Sequence, residues 1–218
     1  MIIGLVGFIG SGKDTVANIL LENNGTKDSF AAPLKDLLSA IFGWPRHLME
    51  GDSIESRDFR NTPDIFWSRK LGVPNFTPRL AMQLVGTDIM REYFHKDIWI
   101  NSLEYRMRCA EHDYRTIVIS DARFKNELEL IRKLNGHIVW IQRGELPEWY
   151  DTAVSANEGN AISKRVMKTT YGSVHQSEWD WVGIEPDFII ENNDSLETLI
   201  ANVKELQQTL SGYQLKIV

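Results

Sequence analysis

The sequence contains a single cysteine, Cys109, among 218 residues. One cysteine excludes an internal disulfide framework and is consistent with a reducing compartment. Long apolar runs are missing too, and the apolar N-terminus (MIIGLVGFIG) lacks the basic flank of a signal peptide. We therefore expect a soluble protein of the cytoplasm that does not bind membranes.

An excess of positive charge is also absent, since 24 Lys and Arg face 30 Asp and Glu, for a net charge of -6. Such a chain has no global basic field to hold a nucleic-acid backbone, so any phosphate chemistry requires a local cluster of cations. The scattered histidines and the one cysteine give no zinc-ligand spacing. With 43% apolar and 25% charged residues, the composition is that of an ordinary globular domain.

Apolar runs alternate with helical patterns, which predicts an α/β fold with a mostly parallel central sheet. The predicted strands are 2–6, 28–31, 116–120, 137–142 and 187–191, and the predicted helices are 13–23, 33–42, 78–92, 97–111, 124–135 and 195–210. Residues 43–77 are expected to form an irregular, partly helical insertion, and residues 144–182 a polar, irregular flap. Segments of that length inside a compact domain are usually lids or binding loops.

The segment from Gly7 to Thr15 (GFIGSGKDT) follows a predicted strand and opens a predicted helix, the context of a phosphate-binding loop. Glycines let successive N–H groups point at phosphate oxygens, the helix N-terminus adds its dipole, and Lys13 reaches the outer phosphates. The residue after the lysine is Asp14 rather than Ser or Thr, so the hydroxyl comes one position later. We expect Thr15 to contact Mg²⁺, directly or through water, or a phosphate. The residues expected to bind ATP are Gly10, Ser11, Gly12, Lys13, Asp14 and Thr15.

A second cluster, Ser120-Asp121-Ala122-Arg123, ends a predicted apolar strand. A carboxylate at that point beside a phosphate loop can organise Mg²⁺ or bind an acceptor. Arg123 could hold a phosphate through two parallel hydrogen bonds. The alternative is that Asp121 caps the next helix and Arg123 is a solvated charge.

Other cations meet a physical need, because two like charges about 5 Å apart repel by roughly 3 kcal/mol at an effective dielectric near 20. Bringing a monoester phosphate to a triphosphate therefore requires several cations and a metal ion. The candidates are Lys35, Arg69, Arg79 and Arg91 in the helical middle of the chain, and Lys164, Arg165 and Lys168 in the flap. Taken alone, each cation of the helical middle is more typical of a solvated surface charge, whereas each flap cation is equally consistent with an exposed charged loop.

Motifs in the same order along nearly the whole chain resemble the deoxynucleoside monophosphate kinases of bacteriophages. Besides the phosphate loop they are FAAPLK at 30–35, TPR at 77–79, QLVGTD at 83–88, DIW at 97–99, SDARFKNE at 120–127, HQSE at 175–178 and NNDS at 192–195. The resemblance implies a P-loop fold of three α/β/α layers, similar to nucleoside monophosphate kinases. It also implies transfer of the γ-phosphoryl group of ATP to a deoxynucleoside monophosphate with Mg²⁺. A homodimer is plausible on the same ground, and a phage-encoded protein would act in the host bacterial cytoplasm.

We expect catalytic roles for Lys13, Asp121, Arg123 and the flap cation Arg165. Carried over position by position, the resemblance implies that the loop at 7–15 holds the ATP phosphates. It places Asn192 near the ATP adenine. The residues expected on the acceptor side are Lys35, Arg69, Arg79, Gln83, Asp88, Asp121, Arg123, Asn126 and Glu127. The expected organisation is one kinase domain with a core (1–42, 112–143, 183–218), a helical acceptor-binding region (43–111) and a lid (144–182).

Two other functions stay open on the sequence. A small-metabolite kinase such as dephospho-coenzyme A kinase would share the phosphate loop and the Asn-Asp-Ser turn, although the block from Thr77 to Trp99 disfavours it. A non-catalytic nucleotide switch would also share the loop. A GTPase, however, should carry an Asn/Thr-Lys-x-Asp motif on a late strand, and Thr26-Lys27-Asp28 lies too early and lacks the spacing.

Overall fold

A computed structural model describes residues 1–22, 25–109 and 116–214, with the backbone alone at 212–214. The chain divides into two compact units, Met1–Ser29 with Glu111–Val218 (the sheet unit) and Phe30–Ala110 (the helical unit). The helices of the described residues are α1 (Lys13–Leu21), α2 (Ala32–Phe42), α3 (Ile54–Asn61), α4 (Ile65–Leu71), α5 (Pro78–Gln83), α6 (Ile98–Cys109), α7 (Lys125–Lys133), α8 (Tyr150–Asn157), α9 (Ala161–Thr169) and α10 (Leu196–Gln214).

The sheet unit is built on five parallel strands in the order β2-β3-β1-β4-β5. They are β1 (Ile2–Val6), β2 (Gly25–Asp28), β3 (Thr116–Ile119), β4 (His137–Gln142) and β5 (Phe188–Glu191). The central β1 pairs with β3 on one side and β4 on the other, so that Gly4 lies beside both Ile119 and Ile138. The predicted parallel sheet is confirmed. Ligands bind such sheets at the carboxyl ends of the strands, which directs attention to the residues that follow β1 and β3.

The second strand lies at Gly25–Asp28 rather than at the predicted 28–31. Its residues are polar and only half-buried, so they carry no apolar run to mark the strand. Pairing with β3 sets its position, since Gly25 aligns with Thr116 and Asp28 with Ile119.

The core of the sheet unit lies between β1 and helices α1 and α10. Ile3 and Leu5 of β1 are fully buried, and they share a cluster with Val16 of α1 and with Val203 and Leu210 of α10. Removing such a side chain from water contributes about 1.5–3 kcal/mol. This packing holds the end of β1 and the start of α1 in a fixed relation.

The helical unit contains α2 to α6, a 3₁₀ turn at Arg46–Met49 and a π-helix at Leu84–Phe94. The predicted partly helical character of residues 43–77 is confirmed by α3, α4 and the 3₁₀ turn. The single α-helix predicted for 78–92 is wrong, because α5 ends at Gln83 and the chain continues as the π-helix. A Cβ on Gly86 would lie 2.6 Å from Leu34 Cδ2, so a larger residue here would require the Leu34 side chain to move. Trp99 Nε1 donates to the Gly86 carbonyl oxygen at 2.9 Å.

The flap, residues 144–182, is more regular than predicted. It contains the helices α8 and α9 and a 3₁₀ turn at Gln176–Glu178. Ala153, Ala156 and Met167 are buried in these helices, and Asn160 caps α9 by accepting the N–H groups of Ile162 and Ser163 at 2.9 and 3.1 Å. Alanines form a weak apolar stripe, which is why the periodicity did not reveal α8.

No helix in the described part of the chain is both long and apolar enough to cross a membrane.

Candidate active site

The loop between β1 and α1 has the backbone of an anion cradle. Gly7, Gly10 and Gly12 all have positive φ, at 151°, 81° and 96°. At Gly12 a side chain would also collide with the Asn192 amide, so this position requires glycine for two independent reasons. Val16 N–H makes the first helical bond, to the Gly12 carbonyl oxygen at 3.0 Å, which leaves N–H groups of the first turn for an anion.

Lys13 folds back over this loop. Its Nζ donates to the carbonyl oxygens of Gly7 and Phe8 at 2.7 and 2.9 Å. Burial lowers the pKa of Lys13 from 10.5 to about 8, and the nearby Arg123 lowers it too, whereas the carboxylates of Glu178 and Asp14 raise it. The ammonium is therefore poorly solvated and would gain from an added negative charge.

The other loop side chains differ in their surroundings. The Ser11 hydroxyl is buried and has no hydrogen-bond partner among the described residues. A buried polar group without a partner is unfavourable by roughly 1–3 kcal/mol, which a phosphate oxygen at this point would relieve. Asp14 is exposed and forms an ion pair with Lys27 at 2.9 Å, while the exposed Thr15 lies in the first turn of α1.

Asn192, predicted to contact ATP, lies against the loop itself. Its Nδ2 donates to the Ser11 carbonyl oxygen at 2.8 Å. The next residue, Asn193, accepts the N–H of Gly144 at 2.8 Å through its side-chain oxygen. The turn after β5 is therefore tied both to the phosphate loop and to the start of the flap.

Arg123 lies close enough to Lys13 to lower its pKa. Its Nη1 donates to the Glu178 carboxylate. Glu178 is not among the predicted site residues, although it belongs to the HQSE motif that contributes to the family resemblance. The half-buried Asp121 follows β3, the neighbour of β1, at the same edge of the sheet.

Glu127, which was predicted to contact the acceptor, is buried and bonded to backbone N–H groups. It is 2% exposed, and its Oε2 accepts the backbone N–H groups of Arg123 and Phe124 at 2.8 and 3.1 Å. A carboxylate engaged in this way holds the start of α7, as in a capping box. This placement favours support of the Arg123 backbone over contact with an acceptor. Asn126, the residue before it, is half-buried.

Aromatic side chains join the phosphate loop to the flap. The Phe8 ring centroid lies 5.5 Å from that of Trp149 and 5.1 Å from that of Trp181. Trp140 of β4 stacks on Tyr150 at 6.1 Å. The flap tryptophans 149 and 181 thus pack against the loop. Arg165, the predicted flap cation, is exposed on α9.

The remaining predicted acceptor residues belong to the helical unit. Lys35 is 8% exposed, and its Nζ lies 2.6 Å from Glu50 Oε2. Burial raises the pKa of Glu50, but hydrogen bonds and charge from Lys35 and Arg46 outweigh that effect and lower it. The other four are exposed: Arg69 in the last turn of α4, Arg79 and Gln83 on α5, and Asp88 in the π-helix.

The chain is similar in sequence to known deoxynucleotide monophosphate kinases. A family model described as "Deoxynucleotide monophosphate kinase" matches residues 47–165. The chain is 35% identical over 154 residues to a protein of Acanthamoeba polyphaga mimivirus named as a deoxynucleotide monophosphate kinase, covering 66% of this chain and 74% of that protein. It is 31% identical over 184 residues to the deoxynucleoside-5'-monophosphate kinase of Escherichia phage T5, covering 62% and 73%. The solved structure of a dephospho-CoA kinase from Campylobacter jejuni aligns over 98% of both chains at a TM-score of 0.46 and 15% identity, a likeness too weak to decide an activity.

Proposed function

This chain belongs to the deoxynucleotide monophosphate kinase family, and from that premise we propose how its own residues carry out the reaction. It is an ATP-dependent phosphotransferase that converts a deoxynucleoside monophosphate to the diphosphate for DNA synthesis. The observation that supports the residue roles below is the glycine loop closed by Lys13 at the start of α1. The small-metabolite kinase and the nucleotide switch are not favoured.

ATP would bind with its phosphates on the loop. The N–H groups at the start of α1 and the Ser11 hydroxyl would donate to phosphate oxygens, and Lys13 would exchange its two carbonyl partners for the outer phosphates. That exchange is favourable, because a dianionic phosphate compensates the ammonium better than two neutral carbonyls do.

The donor set fits a Mg²⁺ ion. Such kinases hold the ion through one or two protein oxygens and the substrate phosphates rather than through a full protein cage. The Thr15 hydroxyl, directly or through water, and the Asp121 carboxylate would supply these oxygens. When bound, the ion neutralises charge that develops on the phosphates.

The acceptor phosphate is already ionised and needs no general base, so catalysis would consist of positioning and charge neutralisation. Lys13 and Arg123, with Arg165 from the flap, would stabilise the transferring phosphoryl group. Residues of the helical unit would bind the acceptor: Lys35, Arg69 and Arg79 its phosphate, and Gln83 and Asp88 its sugar or base. Asp121 and Asn126 would complete the acceptor side.

The partners that we propose are ATP and a deoxynucleoside monophosphate, without nucleic acid or membrane. We propose the cytoplasm as its location, and a homodimer as its assembly. The net charge of -6 supports the exclusion of nucleic acid.

The test is ADP release from MgATP against a panel of deoxy- and ribonucleoside monophosphates and dephospho-coenzyme A, with Lys13→Ala as the inactive reference. We expect ADP production that depends on one or more deoxynucleoside monophosphates. Turnover with dephospho-coenzyme A alone, or ATP binding without any acceptor-dependent turnover, would overturn the proposal.

A further inference from the structure

The turn of residues 175–180 (HQSEWD) holds the start of α7 at two points. Glu178 accepts a hydrogen bond from the Arg123 guanidinium, and Asp180 Oδ2 accepts the backbone N–H of Lys125 at 2.9 Å. Lys125 is the first residue of α7, so its N–H is one of the donors that the helix cannot satisfy itself. One short turn therefore caps the helix and holds the Arg123 guanidinium.

Hydrogen bonds inside the turn keep its shape. Gln176 Nε2 donates to Asp180 Oδ1 at 2.9 Å, and the Ser177 N–H donates to His175 Nδ1 at 3.2 Å. Both oxygens of Asp180 are thus engaged, one within the turn and one on α7. These bonds join the backbone of the turn, through Glu178, to the guanidinium of Arg123.

A side chain of α8 also holds the backbone at the end of this turn. Asn157, the last residue of α8, places its Nδ2 within 2.8 Å of the carbonyl oxygens of Trp179 and Val182, and 3.3 Å from that of Asp180. Those carbonyls belong to the backbone that directly follows Glu178. Asn157 thus connects α8, through the turn, to the guanidinium of Arg123.

We propose that Asn157 is a positioning residue for Arg123, acting through the backbone of residues 179–182 and the Glu178 carboxylate. The proposal rests on the role given to Arg123 under Proposed function. Arg123 offers five N–H donors, and Glu178 takes one of them. Glu178 therefore orients the guanidinium while leaving donors for a phosphate. Because a displacement of about 1 Å can lower a rate by roughly a hundredfold, the anchor of the turn matters for catalysis without touching a substrate.

The experiment is a double-mutant cycle between Asn157→Ala and Arg123→Ala, measured as kcat at saturating ATP and deoxynucleoside monophosphate. We expect Asn157→Ala alone to lower kcat by about tenfold and to raise the acceptor KM, with the KM for ATP unchanged. In the Arg123→Ala background the same change should alter kcat by less than about twofold, because the group it positions is gone.

Asn160→Ala is the matched control. Asn160 lies on the same helical hairpin and caps α9, but its hydrogen bonds lead to Ile162 and Ser163 and not to the turn. We expect it to lower the melting temperature and to leave kcat unchanged. If Asn157→Ala does not fold, Glu178→Gln replaces it in the same cycle and should show the same loss of effect in the Arg123→Ala background.

The outcomes distinguish the role of Asn157 from the role of Arg123. Equal losses of kcat in both backgrounds would show a purely structural role for Asn157 and overturn the inference. If Arg123→Ala lowers kcat and Asn157→Ala does not, the inference alone fails. If Arg123→Ala leaves kcat unchanged, the role given to Arg123 under Proposed function is wrong, and the inference falls with it.

Discussion

The side-chain amide of Asn192 donates a hydrogen bond of 2.8 Å to the Ser11 carbonyl oxygen, joining residues 181 positions apart in the sequence. The bond holds the peptide between Ser11 and Gly12, at the point where the glycine loop meets α1. The turn after the last strand is thereby part of the phosphate loop's own support.

Asn192→Asp should weaken ATP binding. A carboxylate cannot donate to the Ser11 carbonyl and would repel both that oxygen and the phosphates. We expect the KM for ATP to rise by roughly tenfold, with the acceptor KM unchanged. Steady-state kinetics with each substrate varied in turn measures this. Asn193→Asp is the control, because its side-chain oxygen can still accept the Gly144 N–H. Equal effects of the two substitutions would contradict the assignment.

Lys13→Ala should lower kcat by several orders of magnitude while the fold is retained, since the ammonium neutralises phosphate charge in the transition state. The measurement is acceptor-dependent ADP release together with the melting temperature. Lys204→Ala, an exposed lysine on α10, serves as the comparison and should leave both unchanged. Near-normal turnover in Lys13→Ala would remove the basis of the phosphate-loop assignment.

The rate should depend on pH through Lys13. Burial lowers the pKa of Lys13 to about 8, so the free enzyme loses the charged form that binds phosphate as the pH rises through that value. We expect kcat/KM for ATP to be constant below about pH 7 and to fall above about pH 8, with a limiting slope of about tenfold per pH unit. The negative charge of bound ATP would stabilise the Lys13 ammonium, so we expect kcat to fall only at a higher pH than kcat/KM does.

Lys13→Arg supplies the control for this profile. A guanidinium stays protonated throughout the accessible range, so this variant should be slower but should lose the alkaline decline. An alkaline decline that persists in Lys13→Arg would assign the titration to another group.

Glu127→Ala should destabilise the protein through the start of α7. It leaves the half-buried N–H groups of Arg123 and Phe124 without their carboxylate partner, which is unfavourable by roughly 1–3 kcal/mol. In a chain of this size each kcal/mol lowers the melting temperature by about 2–4 °C. Glu127→Gln keeps an accepting oxygen and should lose less. Glu129→Ala, exposed on the same helix, should change the melting temperature little. A stable Glu127→Ala with only a raised acceptor KM would instead support the predicted acceptor contact.

Much of the framework could be predicted from local patterns. The apolar run of β1, the glycines after it and the helix that Lys13 opens are adjacent in sequence, so the strand, loop and helix were predictable together. The alternation of strands and helices likewise predicts the parallel sheet. The polar strand β2 was misplaced, because its position depends on pairing with β3 rather than on its own residues.

The helical forms of two segments were harder to predict. Helix α8 buries alanines, and it packs against α9 as well as against rings and backbone from distant segments, so its sequence shows little periodicity. The π-helix at Leu84–Phe94 keeps a helical pattern of side chains but changes the backbone hydrogen bonding, which periodicity does not register. Gly86 lies against Leu34 of α2, and its carbonyl oxygen accepts a hydrogen bond from Trp99. Neither contact can be predicted from the residues around Gly86.

The sequence by itself determined which chemistry this protein can perform, because a glycine loop, a lysine and a hydroxyl at fixed spacing form an anion site wherever a strand meets a helix. The tertiary structure alone decided how that site is supported. Glu178 meets Arg123 across 55 residues, and Asn192 meets Ser11 across 181. Local spacing cannot encode such contacts, since they exist only after the parallel strands bring the ends of distant segments to one edge of the sheet.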